Sequence, residues 1–317
     1  MRNSQSDFAD IPATGLPENT AFLDLPHNQL NLNFTLGCGQ TFRWKVDNEG
    51  WWSAPYADKV IRIREFEGGF LWQTIPGEPD FSIILDCFRL DEDILAIYDH
   101  LSRCDDYVAM LVEKYRGLRI IRQKPEDTLF SFICSAANSV CRISTGIEEL
   151  SRRYGRFIVE VGGVKYYSFP GIDSLANADL GEISRIPCLY WRGGFVGNVA
   201  RSIMSRNAGW FELLRSMDYL QAKAELMALK GVGEKVADCV CLFSLDKNEA
   251  VPVDTHIRRI ASRLYLTDMN AKTLTSMVYK RIAEAIRDKF GPYAGWAQQF
   301  LYYDELLNWS GRSKKRG

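Results

Sequence analysis

Three side chains in one short stretch could do chemistry together: Lys235 and Cys239, four positions apart in GEKVADCVC, and Asp254, 19 positions after the lysine in AVPVDTH. A free lysine titrates near 10.4, so at neutral pH it is almost entirely an ammonium and no nucleophile. The first turn of a helix disfavours a cation and so favours the neutral amine. A carboxylate held opposite could then stabilise a positive centre that develops as a leaving group departs. Each residue alone has a plainer reading. Lys235 could be a surface lysine paired with Asp238 or a phosphate, Asp254 a helix cap, and Cys239 a buried helix cysteine. Only their combination singles them out.

The elements that must position them are a helix, a tight hairpin and a helix. An amphipathic segment (Leu220, Ala224, Met227) runs into Gly231-Val232-Gly233, and a second one carries Val236, Val240 and Phe243 on one face. Glycines at both ends of the hairpin allow the backbone to turn at positive φ and leave N–H groups pointing outward where the dipole favours an anion, so Gly231 and Gly233 make a phosphate site. Four-residue spacing puts Lys235 and Cys239 on one helix face. Asp254 is expected at the N-cap of a third helix (Ile257, Ile260, Ala261, Leu264), with Pro252 stiffening the approach.

The chain has 317 residues, 46% of them apolar and 12% aromatic, which fits two or three packed units and argues against disorder. Lys plus Arg (39) nearly balance Asp plus Glu (40), so any contact with a polyanion must come from local patches. Such patches are Arg142 with Arg152, Arg153 and Arg156; Arg258, Arg259 and Arg263; and Arg312, Lys314, Lys315 and Arg316. Eight scattered cysteines without a C-x-x-C pair read as reduced intracellular thiols rather than disulfides or zinc ligands. With no signal peptide and no membrane-length apolar run, we expect an intracellular protein, nuclear in a eukaryote and in the cytoplasm or nucleoid of a prokaryote.

In chain order, residues 1–20 read as a flexible lead-in. From Phe34 to about Thr74, aromatic and β-branched runs (FTLGCGQTFRWKV, WWSAPY, VIRIREF, FLWQT) alternate with turn residues and predict an antiparallel meander. A helical stretch follows over Asp91 to Tyr115, and from Pro125 onward nearly every periodic segment reads as helix. The expected fold is α+β: a β domain over 21–120, a helical domain over 121–308 and a basic tail over 309–317.

The strings GVGEKVADCVC and AVPVDTH resemble the helix-hairpin-helix DNA glycosylase superfamily, specifically the 8-oxoguanine DNA glycosylases with lyase activity. The similarity extends from about Phe34 to about Asp304. It implies an N-terminal sheet like the TATA-binding-protein fold packed on helical domains, and a lysine that forms a Schiff base with the sugar of damaged double-stranded DNA. Lys235 would attack C1′, Asp254 would support the charge, and β-elimination would nick the strand. The base must leave the duplex to be reached. GCGQTFRW resembles the family's pocket segment, which would make Gly39 the main-chain acceptor for the extra N7 hydrogen of 8-oxoguanine. GPYAGWAQQFLYYD resembles the opposite wall, which would put Gln298 on the Watson–Crick edge, with Tyr302, usually Phe in the family, stacked on one face of the base and Cys239 on the other, where a thiolate paired with the ammonium would present a dipole.

FICSAANSVCRIS resembles the loop that contacts the orphan cytosine through Arg142 and Asn138. Ala137 and Ser139 stand where asparagines are usual, which predicts weaker selection of the opposite base. CLYWRGGF resembles the wedge segment, with Trp191 in place of the usual tyrosine and Arg192 following, and His256 matches a phosphate contact. The resemblance implies no catalytic metal and no cofactor, leaves open a structural cation at the hairpin, and implies a monomer. Two other readings compete: a superfamily glycosylase for a different base, and a non-catalytic DNA-binding protein that kept the hairpin. Lys235, and the lack of closely spaced cysteines after Cys241 for an iron–sulfur cluster, argue against the first; borohydride trapping separates enzyme from binder.

Overall fold

The coordinates are a computed structural model that describes residues 18–135, 138–268 and 273–314, with side chains described through residue 308. The expected lead-in up to residue 17, Ala137 and the side chains of the basic tail lie outside the described residues.

Residues 21–75 carry a five-stranded antiparallel sheet. In chain order come β1 (Ala21–Leu23), helix α1 (Leu32–Gly37), β2 (Lys45–Val46), β3 (Trp52–Tyr56), β4 (Lys59–Phe66) and β5 (Gly69–Ile75), with strand order β1-β5-β4-β3-β2. Trp72 pairs with Ile63 across β4 and β5, and Ile61, Ile63, Phe70 and Trp72 bury one face of the sheet. Helix α2 (Phe81–Cys87) covers that face with Ile84, Cys87 and the following Phe88. The run from Phe34 to Val46, expected as strand, is mostly not one. Asn31 caps α1 by accepting from the Phe34 amide at 3.0 Å, and Leu32, Thr35 and Leu36 bury one helical face. A cap and a helical period outweigh the β-branched content there.

The helical body comprises α3 (Ile94–Cys104), α4 (Asp106–Lys114), α5 (Pro125–Cys134), α6 (Val140–Tyr154), α7 (Ile172–Asn177), α8 (Leu180–Ser184), α9 (Arg192–Met204), α10 (Trp210–Ser216), α11 (Tyr219–Met227), α12 (Glu234–Ser244), α13 (Thr255–Leu264), α14 (Ser276–Phe290) and, after a 3-10 turn, α15 (Ala294–Lys314). The helices α3 and α4 precede residue 120, yet their apolar faces (Ile94, Ile97, Tyr98, Leu101, Val108, Leu111) belong to the core of the helical body. Between α6 and α7 stands a hairpin that the helical reading passed over: β6 (Phe157–Val161) and β7 (Val164–Tyr167). Its turn, Gly162-Gly163, has both residues at positive φ, so FIVEV-GG-VKYY carried the signal.

Buried arginines tie sheet and helices together at the seam. Arg122 reaches Asp246 at 2.8 Å, Asp91 at 3.1 Å and Asp86 at 3.2 Å; the fully buried Arg89 donates to Asn248 Oδ1 and to the Leu242 carbonyl, both at 2.7 Å. These bonds fix the segment 245–254 that leads from α12 into α13, and with it the start of α13. Among the described residues no helix is long and apolar enough to cross a membrane.

Candidate active site

Helix α12 runs through the middle of the helical body, every residue from Val236 to Ser244 buried, against α5 on one side and α11 on the other. Its entry is the expected hairpin. Gly231 sits at φ +104°, and a Cβ there would lie 2.3 Å from the Phe195 ring, so both backbone and packing require glycine. Gly233 differs from expectation: its φ is −95°, open space surrounds it, and it is the N-cap of α12 without a side-chain cap bond. Its bareness leaves the first amides of α12 uncovered, which suits an anion.

Asp254 caps α13 as expected, Oδ1 accepting from the amides of His256 at 2.8 Å and Ile257 at 2.9 Å. Lys235, Cys239 and Asp254 line one cavity of ≈ 40 Å³ together with Gly39, Gln298 and Tyr302, and with Phe132, Phe243, Pro252 and Gln299. All six residues assigned to chemistry or base binding thus meet, though they come from a loop after α1, from α12, from the cap of α13 and from α15. A larger cleft of ≈ 690 Å³ opens between the β3–β4 turn and the α6–α7 region, but its lining (Asp58, Asp127, Arg156, Asp173) contains no lysine or cysteine. Size does not locate the chemistry here.

The amine is not held by Asp254. Among the described residues Lys235 has no ion pair within 4.0 Å; its Nζ donates to Ser135 Oγ at 3.0 Å and lies 4.7 Å from the centre of the Phe132 ring. Nor does it pair with Asp238, whose fully buried carboxylate is turned toward α11 and α14. There it accepts from Tyr219 at 2.6 Å, Tyr279 at 2.5 Å and Lys223 at 2.7 Å. Burial pushes the Asp238 carboxyl up, and Lys223 and the two phenols pull it back only in part.

Cys239 is buried, and burial pushes its thiol up to about 12 against the pull of Lys235. Burial thus works against the expected thiolate–ammonium dipole, and the pull of Lys235 works for it. Gln298 is 4% exposed and its Oε1 has no hydrogen-bond partner among the described residues. An orphaned buried acceptor is rare in a native structure and calls for a ligand donor.

The turn that presents Gly39 is tightly held. Gly39 has φ +81°, and a Cβ would meet the Tyr302 ring at 3.1 Å. Next to it the fully buried Gln40 donates to the Thr35 carbonyl at 2.7 Å and the Arg119 carbonyl at 2.8 Å, and accepts from the Ile121 amide at 2.9 Å. Gln299 donates to the Cys38 carbonyl at 3.0 Å. Gln40, Gln299, Phe132 and Ser135 were missed by sequence reasoning. Gln40 and Gln299 each adjoin an expected site residue, whereas nothing local marks Ser135, 100 positions from Lys235.

The residues assigned to DNA contact lie elsewhere on the helical body. Trp191 is 58% exposed, stands edge-on to Phe195 and covers the guanidinium of Arg192, which is itself buried at 5% exposure. The approach to this tip is left-handed at Cys188 (φ 72°) and Tyr190 (φ 47°), a conformation that such residues adopt only when held there. Arg142 is exposed at the start of α6. Asn138 is turned inward, Nδ2 donating to the carbonyls of Cys134 at 3.3 Å and Cys188 at 3.1 Å. His256 lies edge-on to the Tyr302 ring, and its Nδ1 is 3.0 Å from Arg259 Nη2. Since a guanidinium can only donate, Nδ1 is the acceptor and the remaining ring proton sits on Nε2.

Comparison with known proteins agrees with this geometry. Residues 22–129 match the family described as 8-oxoguanine DNA glycosylase, N-terminal domain, and residues 130–287 match the HhH-GPD superfamily base excision DNA repair protein. The chain is 32% identical to the N-glycosylase/DNA lyase OGG1 of Arabidopsis thaliana over 293 residues, 90% of this chain and 80% of the relative. It is 29% identical to the N-glycosylase/DNA lyase of Saccharomyces cerevisiae over 329 residues, 91% of this chain and 87% of that one. Among solved structures, Clostridium acetobutylicum 8-oxoguanine glycosylase/lyase in complex with double-stranded DNA containing cytosine opposite 8-oxoguanine superposes with a TM-score of 0.82 at 29% identity. The match covers 92% of this chain and 97% of that one.

Proposed function

Given that the chain belongs to the HhH-GPD superfamily of base excision DNA repair proteins and carries the 8-oxoguanine DNA glycosylase N-terminal domain, we propose that it is a bifunctional glycosylase and lyase that removes 8-oxoguanine from duplex DNA and nicks the strand. One observation carries this reading: a nucleophilic amine, a capped carboxylate and an orphaned amide oxygen share a cavity between an aromatic ring and a thiol. The flipped base enters between Tyr302 and Cys239, donates to Gln298 Oε1 from its Watson–Crick edge and gives its N7 hydrogen to the Gly39 carbonyl. A cavity of ≈ 40 Å³ holds a water, not a purine, so these walls part as the base arrives.

Lys235 Nζ bonds to C1′ as the C1′–N9 bond breaks and its electron pair leaves with the base. Asp254, its Oδ1 occupied by two amides, supports the cationic character of the sugar during that step. Loss of a proton from Nζ and opening of the sugar ring give the Schiff base; removal of a C2′ proton then breaks the bond to the 3′ oxygen and the phosphate departs. Lys235 and Asp254 carry the base-removal step and no cofactor is assigned; any cation at the Gly231–Gly233 hairpin would serve the phosphate contact alone. Trp191 wedges the stack, Arg142 and Asn138 meet the orphan base, and His256 donates from Nε2 to a phosphate. For the orphan base, Asn138 must leave its two carbonyls. Arg192, covered by Trp191, holds the wedge from beneath. We assign the protein as a monomer acting on damaged double-stranded DNA.

Borohydride reduction in the presence of a duplex with 8-oxoguanine opposite cytosine tests the reading. A covalent adduct with the wild type that is absent in Lys235→Gln is expected. No adduct with folded wild-type protein would remove it, and faster release of alkylated or mispaired bases than of 8-oxoguanine would assign the cavity to another lesion.

A further inference from the structure

We propose that Ser135 is a positioning residue for the catalytic amine, which deepens the reading above by naming what aims Lys235. A lysine carries a long flexible stem, and a nucleophile must be held in an attacking geometry to be effective. The obvious anchors are missing. The dipole of α12 repels an ammonium at the second residue of the helix, and no carboxylate lies within 4.0 Å of Nζ among the described residues. What remains is the end of α5. Ser135 is the C-cap of that helix, its Oγ is 3.0 Å from Nζ, and the Phe132 ring one turn earlier offers its face at 4.7 Å.

The direction of the bond follows from the hydroxyl's single proton. Ser135 Oγ donates it to the Phe132 carbonyl at 2.7 Å, so its lone pairs are left to accept from the amine. The negative end of the α5 dipole points the same way. This helix end is also held by its own turn: the Ser135 amide donates to the same Phe132 carbonyl at 3.1 Å. Ser135 therefore presents to Nζ, at 3.0 Å, an acceptor of set polarity at the end of a buried helix.

The test uses the full-length protein as Ser135→Ala and Ser135→Thr. Single-turnover excision and borohydride trapping on a duplex with 8-oxoguanine opposite cytosine should fall about tenfold in Ser135→Ala, the order expected when one hydrogen bond that orients the attacking amine is lost. Binding of a duplex carrying a tetrahydrofuran abasic analogue should stay within about twofold of wild type, and Ser135→Thr, which keeps the acceptor, should recover the rate. Wild-type excision in Ser135→Ala, or an equal loss in a folded Ser135→Thr, would overturn the proposal. A second readout needs no DNA: reductive methylation of Lys235, followed by mass spectrometry, should run several-fold faster in Ser135→Ala because the amine is released. Unchanged labelling would also overturn it. If the wild type forms no adduct with damaged DNA, the glycosylase reading fails while the labelling result still decides the role of Ser135.

Discussion

The two polar clusters that α12 contributes to are built on opposite principles. In one, Asp238 is fully buried and every oxygen is engaged: two phenols and an ammonium converge on it, and Arg287 reaches Tyr219 behind them at 3.3 Å. In the cavity, three residues back and one residue on, Lys235 rests on the Ser135 hydroxyl and the Phe132 ring beside Cys239, whose thiol burial pushes up, and Gln298 has an acceptor with no donor among the described residues. A saturated cage stabilises the fold, and a buried polar group without a partner weakens it. Placing both on one helix lets the scaffold hold the unsatisfied groups still. The site then keeps its hydrogen-bonding capacity for the base.

The comparison breaks most easily at the cage. Asp238→Ala should destabilise the fold by about 3–5 kcal/mol, the usual effect of leaving the partner of a buried ion pair alone; urea unfolding that shows less than about 1 kcal/mol would mean the cage is dispensable. On the cavity side, Asp254→Asn preserves the cap, since asparagine caps as well as aspartate. The melting temperature should hold while single-turnover excision falls about 100-fold through loss of the charge alone. A parallel loss of stability would assign Asp254 to the scaffold instead.

Gln298→Leu sharpens the contrast. Removing an orphaned acceptor should leave thermal stability unchanged or higher, while 8-oxoguanine excision slows about tenfold; a marked drop in stability would show that Oε1 serves the fold. The smallest effect concerns an exception within the scaffold. Burial pushes the Asp127 carboxyl on α5 up to about 7, and the Arg43 guanidinium only partly offsets it. A carboxyl raised above its unfolded value, near 3.9, contributes stability that is complete below that value and lost as pH rises through about 7. Melting curves from pH 5 to pH 8 should therefore fall in the wild type by roughly a few degrees more than in Asp127→Asn. Identical slopes would mean that Asp127 does not titrate there.

What was legible beforehand follows from the range over which each signal acts. The hairpin glycine Gly231, the shared face of Lys235 and Cys239, and the cap at Asp254 are written within a few residues of one another, because turns, helical period and caps are local physics. The meander was legible from alternating runs, although Asn31 turned the segment 32–37 into a helix, and the Gly162-Gly163 hairpin was overlooked among the helices that flank it.

The resemblance located the residues of the pocket, but their partners were not readable from it. That Lys235 turns to Ser135 rather than to Asp254 or Asp238, that Asp238 faces away into a cage of Tyr219 and Tyr279, and that Gln298 is left unpaired were decided only when α5, α11, α14 and α15 packed around α12. Hydrogen-bond partners separated by a hundred residues are chosen by which side chains the closed core brings within about 3 Å. Local sequence determines which groups a helix can offer; the tertiary structure decides which of them are satisfied and which stay free to act.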